Sequence, residues 1–146
     1  MSTRTPTGPL SGLKIVDMSS VVLGPFATLI FGDLGADVVK VESGQSGKGG
    51  DMMRYAGKSP TGDLGPIFMA LNRNKASVQL DAKTEAGAAA LTAMLKEADV
   101  FFHNVRMAGM ERLGFGGFGQ ICCLRQLLLR REVLPEVGHA EGAIRP

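Results

Sequence analysis

The sequence is poor in cysteine: its two, Cys122 and Cys123, are adjacent. That excludes a spaced disulfide framework and a Cys-x-x-Cys metal signature, and nothing in the cysteine usage points to secretion. No charge of one sign dominates, because 16 Lys and Arg are interleaved with 14 Asp and Glu for a net charge of +2. A dedicated nucleic-acid binder needs a far stronger basic footprint, so any anion site must be local. Long apolar runs are also missing. The N-terminal MSTRTPTGPLSG has no hydrophobic stretch of the signal-peptide kind, and the run from Val21 to Phe31 is broken by Gly24, Pro25 and Thr28. It is too short to span a bilayer, and the expected compartment is the cytoplasm. Glycine is scarce where one class of enzyme needs it: the turn MSSVVLGPF holds one glycine, not the Gly-x-Gly-x-x-Gly spacing of a nicotinamide dehydrogenase.

What is present is globular: 45% hydrophobic and 21% charged residues suffice for one core in a chain of 146 residues. After a polar arm over residues 1–12, LKIVD (Leu13–Asp17) reads as a buried parallel strand. GPFATLIFGDLGA then places Pro25 in a first helical turn and Gly35 at a left-handed helix end, with Phe26, Leu29, Ile30 and Leu34 at helical spacing. DVVKVE (Asp37–Glu42) returns as a second strand of a βαβ unit. Residues 43–66 are rich in Gly, Ser, Asp and Lys without a period, which predicts a functional loop. A short helix over Ile67–Asn72 and a strand over Ala76–Asp81 follow. Thr84 is placed to cap a helix over Glu85–Glu97, in which Leu91, Met94, Leu95 and Ala98 share one face. ADVFFHN supplies another strand and GMERLGF a last short helix. Alternation of this kind predicts an α/β fold: a Rossmann-like, open and mostly parallel sheet with flanking helices. Past Gln120 the texture shifts to the Leu-, Arg- and Cys-rich ICCLRQLLLRREVLPEVGHAEGAIRP, so the expected units are the arm, a domain over 13–120 and an atypical tail over 121–146.

Four blocks carry a resemblance in order and spacing: PLSGLKIVDMSSVVLGPFATLIFGDLGADVVKVE (Pro9–Glu42), GGDMMR (Gly49–Arg54), ALNRNKASVQLDAKTEAG (Ala70–Gly87) and ADVFFHNVRMAGMERLGFG (Ala98–Gly116). Together they resemble the amino-terminal part of the class III CoA-transferases, the CaiB/BaiF type that includes formyl-CoA transferase and carnitine CoA-transferase. The resemblance implies a homodimer of interlocked subunits. It also implies a reaction moving CoA from an acyl-CoA to a small carboxylic acid through an aspartyl intermediate. CoA enters as substrate, no prosthetic group or metal is needed, and neither nucleic acid nor membrane is a partner. By resemblance Lys83 and Arg112 are the cations for the CoA phosphates. Asn104 is implied for hydrogen bonding to the ligand, with Val105 beside it. Val21 would line the ligand at the carboxyl edge of the sheet, and Leu80 and Leu113 would form apolar walls. Asn72 and Asn74 suit turn and capping duty as well as ligand binding. Asp17 is a structural position by resemblance, and Asp51 with Arg54 reads equally as a surface ion pair. His103 stands where the family usually carries an acidic residue, and no role is assigned to it. Met107 and Ala108 replace a usual Pro-Gly.

The segment ERLGFGGFGQ repeats Gly-Phe-Gly where the family has a helix, a turn and a strand between two such segments. The resemblance reads this as a deletion followed by a shift of reading frame after Gln120. Beyond Gln120 there is no aspartate, only Glu132, Glu136 and Glu141, so no residue matches the nucleophile. The expectation is an inactive, truncated chain whose sheet, where the lost strand belonged, has an edge that would either pair wrongly or aggregate. Two alternatives stand beside it: an α-methylacyl-CoA racemase relative, for which His139 would be the candidate base, and a non-catalytic CoA-binding or dimerisation module.

Overall fold

A computed structural model describes residues 7–44, 49–117 and 121–123. In chain order the elements are β1 (Lys14–Met18), α1 (Leu23–Asp33), β2 (Asp37–Ser43), a single 3₁₀ turn (Met52–Tyr55), α2 (Pro66–Leu71), β3 (Lys75–Leu80), α3 (Glu85–Glu97), β4 (Val100–His103), α4 (Met107–Arg112) and β5 (Ile121–Cys123). The strands form one sheet in the order β3-β2-β1-β4-β5. β1 pairs in parallel with β2 and with β4, β2 pairs in parallel with β3, and β5 runs antiparallel to β4. This is the α/β sheet expected from the alternating elements.

Period-two alternation in β1 sends Ile15 and Val16 to opposite faces, and each starts a separate core. Val16 joins Val41, Leu91, Leu95, Phe101, Met110 and Phe115 on the face covered by α3 and α4. Ile15 joins Ala36 and Val38, with Leu10, Phe31 and Phe102 packed against them. α1 ends where Gly35 enters the left-handed region at φ +98°, with Gly35 N–H bonded to Gly32 O and Ala36 N–H to Phe31 O. α3 begins at its expected residue because the Thr84 hydroxyl accepts the Gly87 N–H at 3.1 Å. Thr84→Ala should therefore cost about 1 kcal/mol in denaturant unfolding; an unchanged midpoint would remove the cap from the account.

One expectation differs from the structure: the last helix starts at Met107, two residues before GMERLGF, because extended Arg106 serves as its N-cap and Met107 and Ala108 are good helix formers. The outer edge of β4 is taken up by β5, where Phe101 and Phe102 pair with Cys122 and Ile121. The reading of residues 121–146 as an atypical tail falls, apart from 121–123, outside the described residues, and so does that of His139 as a base. Among the described residues, no helix is long and apolar enough to cross a membrane.

Candidate functional site

The carboxyl ends of β1, β2 and β3 open into one cavity of about 460 Å³. Ligands of doubly wound sheets bind at this edge, near the point where successive strands change side, which here lies between β1 and β4. The walls come from the turn after β1 (Ser19, Ser20, Val21), the end of β2 (Lys40, Glu42), the loop at Gly50–Met52, Leu80 to Lys83 after β3, and Val105 and Leu113 around α4.

The turn after β1 is held by side chains from four directions. Asp17 accepts the Ser19 N–H at 2.9 Å, and the Lys40 ammonium donates to Ser19 O at 2.8 Å. Asn104 uses both ends of its amide on Ser20, accepting its N–H at 3.0 Å and donating to its carbonyl at 2.8 Å. Asp51 accepts the Val21 N–H at 3.3 Å. Val21 sits at φ +75°, a conformation that a β-branched residue rarely adopts. Gly24 follows closely, where a Cβ would run into the Ser19 side chain.

Residues 49–55 are drawn over the end of β2 by two buried ion pairs. Lys40 meets Asp51 at 3.0 Å with both side chains 1% exposed. Glu42 takes Arg54 in a two-pronged contact at 2.6 and 2.7 Å, and also accepts from Ser77 and from the Asp51 N–H. Arg54 lies over the Phe68 ring at 3.9 Å. Burial on its own would push the Glu42 carboxyl up. The hydrogen bonds from Arg54, Ser77 and the Asp51 backbone, with the Arg54 charge, outweigh that and hold it at about 2. Gly50, at φ +96°, leaves room that a side chain would take from Glu42 and Arg54. The alternative of a surface ion pair between Asp51 and Arg54 is not what forms: each pairs with a different residue of β2, and both pairs are sunk in the protein.

Of the residues expected at the ligand, Val21, Leu80, Lys83, Val105 and Leu113 line this cavity. Two do not. Asn104 is spent on the Ser20 backbone, joining the loops after β1 and β4, and Arg112 is exposed in the last turn of α4, next in sequence to Leu113. The Lys83 side chain is exposed, and its ammonium has no ion-pair partner among the described residues. Asn72 and Asn74 serve the turn before β3: Asn72 donates to Phe68 O and accepts from Lys75, and Asn74, at φ +62°, donates to Asp33. His103 is buried, its ring 5.2 Å from that of Phe101, and neither ring nitrogen has a hydrogen-bond partner among the described residues. Sequence reasoning missed Ser19, Ser20, Lys40, Glu42 and Met52 as cavity residues. The available signal was DVVKVE, where two charges at i and i+2 interrupt an otherwise apolar strand.

The mostly parallel sheet with flanking helices, with a cavity at its carboxyl edge, defines an α/β protein of the doubly wound class. The profile of CoA-transferase family III matches residues 10–117, and the chain belongs to that family. An acetyl-CoA:oxalate CoA-transferase from Acetobacter aceti is 40% identical over 110 residues, covering 75% of this chain and 27% of that protein. The succinyl-CoA:glutarate CoA-transferase of Homo sapiens is 36% identical over 108 residues, covering 74% and 24%. Among solved structures, a CaiB/BaiF family protein from Brucella suis aligns with a TM-score of 0.66 at 36% identity, covering 73% of this chain and 28% of that one. A hypothetical protein from Mycobacterium tuberculosis aligns at 0.67 and 34%, covering 84% and 31%. The chain spans about a quarter of the length of the curated relatives it matches.

Proposed function

We propose that these residues form the CoA-holding part of a class III CoA-transferase site, which in the whole enzyme moves CoA from an acyl-CoA to a carboxylic acid. One observation supports this reading most: Val21 after β1, Leu80 and Lys83 at and beyond the end of β3, and Val105 and Leu113 on either side of α4 line a single cavity at the carboxyl edge of the sheet. In this reading the Lys83 ammonium meets a CoA phosphate, and Arg112 approaches from α4 once ligand is bound. Leu80 and Leu113 flank the adenine, and the Asn104 amide acts through the Ser20 backbone rather than by direct contact. The aspartate that would take the acyl group has no counterpart within residues 1–146, so the chain is expected to bind CoA without transferring it. A cytoplasmic location and a homodimeric assembly are part of the same reading, the second carried by the resemblance alone.

Calorimetric titration of the 146-residue chain with CoA tests it. Binding should weaken with added salt, and Lys83→Ala should lower affinity roughly tenfold, as expected when a charge-assisted contact of ~1–2 kcal/mol is lost. No heat at about millimolar CoA, or equal affinity in the variant, would refute the assignment. Turnover of an acyl-CoA with a carboxylate would contradict the absence of a nucleophile.

A further inference from the structure

We propose that the buried Lys40–Asp51 pair is a positioning device that holds Val21 in its left-handed conformation and so sets the shape of the cavity wall. The proposal rests on reading that cavity as a CoA site, and the pair itself, Lys40 with Asp51, is one that the resemblance did not assign to the ligand.

Residues 19 and 21 are the two ends of a three-residue turn, and one ion pair grips both. The Lys40 ammonium donates to Ser19 O at 2.8 Å and meets Asp51 Oδ2 at 3.0 Å, while Asp51 Oδ1 accepts the Val21 N–H at 3.3 Å. Asn104 secures the residue between them. A valine left to itself leaves φ +75° for the negative-φ regions, where its Cβ is unhindered. The clamp opposes that relaxation, and it is firm because Asp51 is itself fixed: its other bonds go to the Met53 N–H at 3.0 Å and, through its own N–H, to Glu42 at 2.8 Å. Lys40, Asp51 and Val21 all line the cavity, so a relaxed turn would move its wall directly.

Two measurements on the full chain decide the matter. In wild-type protein, residue 21 should give the strong intraresidue amide-to-Hα Overhauser effect characteristic of positive φ. Asp51→Ala should abolish it. Should the unpaired Lys40 ammonium unfold that variant, Lys40→Met combined with Asp51→Ala leaves no buried charge unpaired and reads the same signal. If the competent turn falls to about a tenth of the population, CoA affinity drops about tenfold. In a Val21→Gly background that drop should shrink, because glycine holds positive φ unaided. The proposal is overturned if residue 21 keeps its signal without the pair, if affinity stays within about twofold, or if the loss is the same with glycine at 21. Failure of wild-type chain to bind CoA would refute the functional reading alone, since the Overhauser comparison still decides whether the pair holds Val21.

Discussion

Asp17→Ala is expected to lower the folding stability of the chain by about 3–5 kcal/mol. Asp17 is fully buried at the end of β1, where it accepts from the Ser19 N–H and hydroxyl, from the Thr28 hydroxyl, and from the Lys75 ammonium at 3.1 Å. Lys75, with a side chain 1% exposed, also lies within 2.9 Å of Pro25 O, the Thr28 hydroxyl and Asn72 Oδ1. One ion pair therefore joins β1, α1, the end of α2 and the start of β3. Burial pushes the Lys75 ammonium down from its ordinary value, and the Asp17 charge offsets part of this. Without the carboxylate, a cation stays behind in a dry site, a loss of about 3–5 kcal/mol. A domain of this size is typically stable by only ~5–15 kcal/mol, so the loss takes a substantial part of the margin. Asp17→Asn, which keeps an acceptor for Ser19 and Thr28, should fall between the two. Circular dichroism with urea unfolding reads the series, and an Asp17→Ala midpoint equal to wild type would show that the pair is dispensable.

Acid should destabilise the protein through Glu42. Its carboxyl is held at about 2 in the folded chain against an ordinary 4.5. A lowered folded value means that the stabilisation is fully present above about 4.5 and drains away as pH falls toward about 2. The side chain is wholly buried, and the difference corresponds to about 3 kcal/mol. Glu42→Gln should lose a comparable amount at neutral pH and show a flatter pH profile in that acid window. Urea midpoints collected across it test both halves, and parallel profiles for the two proteins would mean that Glu42 is not the group responsible.

Local chemistry made much of the fold readable. Thr84 and the Leu91, Met94, Leu95, Ala98 face gave α3 its bounds, and Gly35 marked the end of α1, because caps and helical periods are written within a few residues. The ion pairs were not readable, since Lys40 finds Asp51 and Glu42 finds Arg54 only after residues 49–55 fold back across β2. The alternative of a surface pair between Asp51 and Arg54 does not occur, because each finds its partner on β2. The left-handed Val21 was hidden for a related reason: nothing local favours it, and its supports come from β2, β4 and the loop at 49–55. The cavity residues reached by resemblance were those suited to touch a ligand. Of those that hold the turn in place, Asn104 and Asp17 were singled out by resemblance, while the parts played by Lys40 and Asp51 emerged only from coordinates.

On the proposed function, this cavity, rather than any other surface of the chain, receives CoA. Amide chemical shifts of isotopically labelled protein titrated with CoA test it most directly. Perturbations should concentrate at Val21, Leu80, Lys83, Val105 and Leu113 and saturate together. A spectrum unmoved at about millimolar CoA, or shifts gathered instead on the exposed face of α1 at Leu23, Phe26 and Ile30, would contradict it.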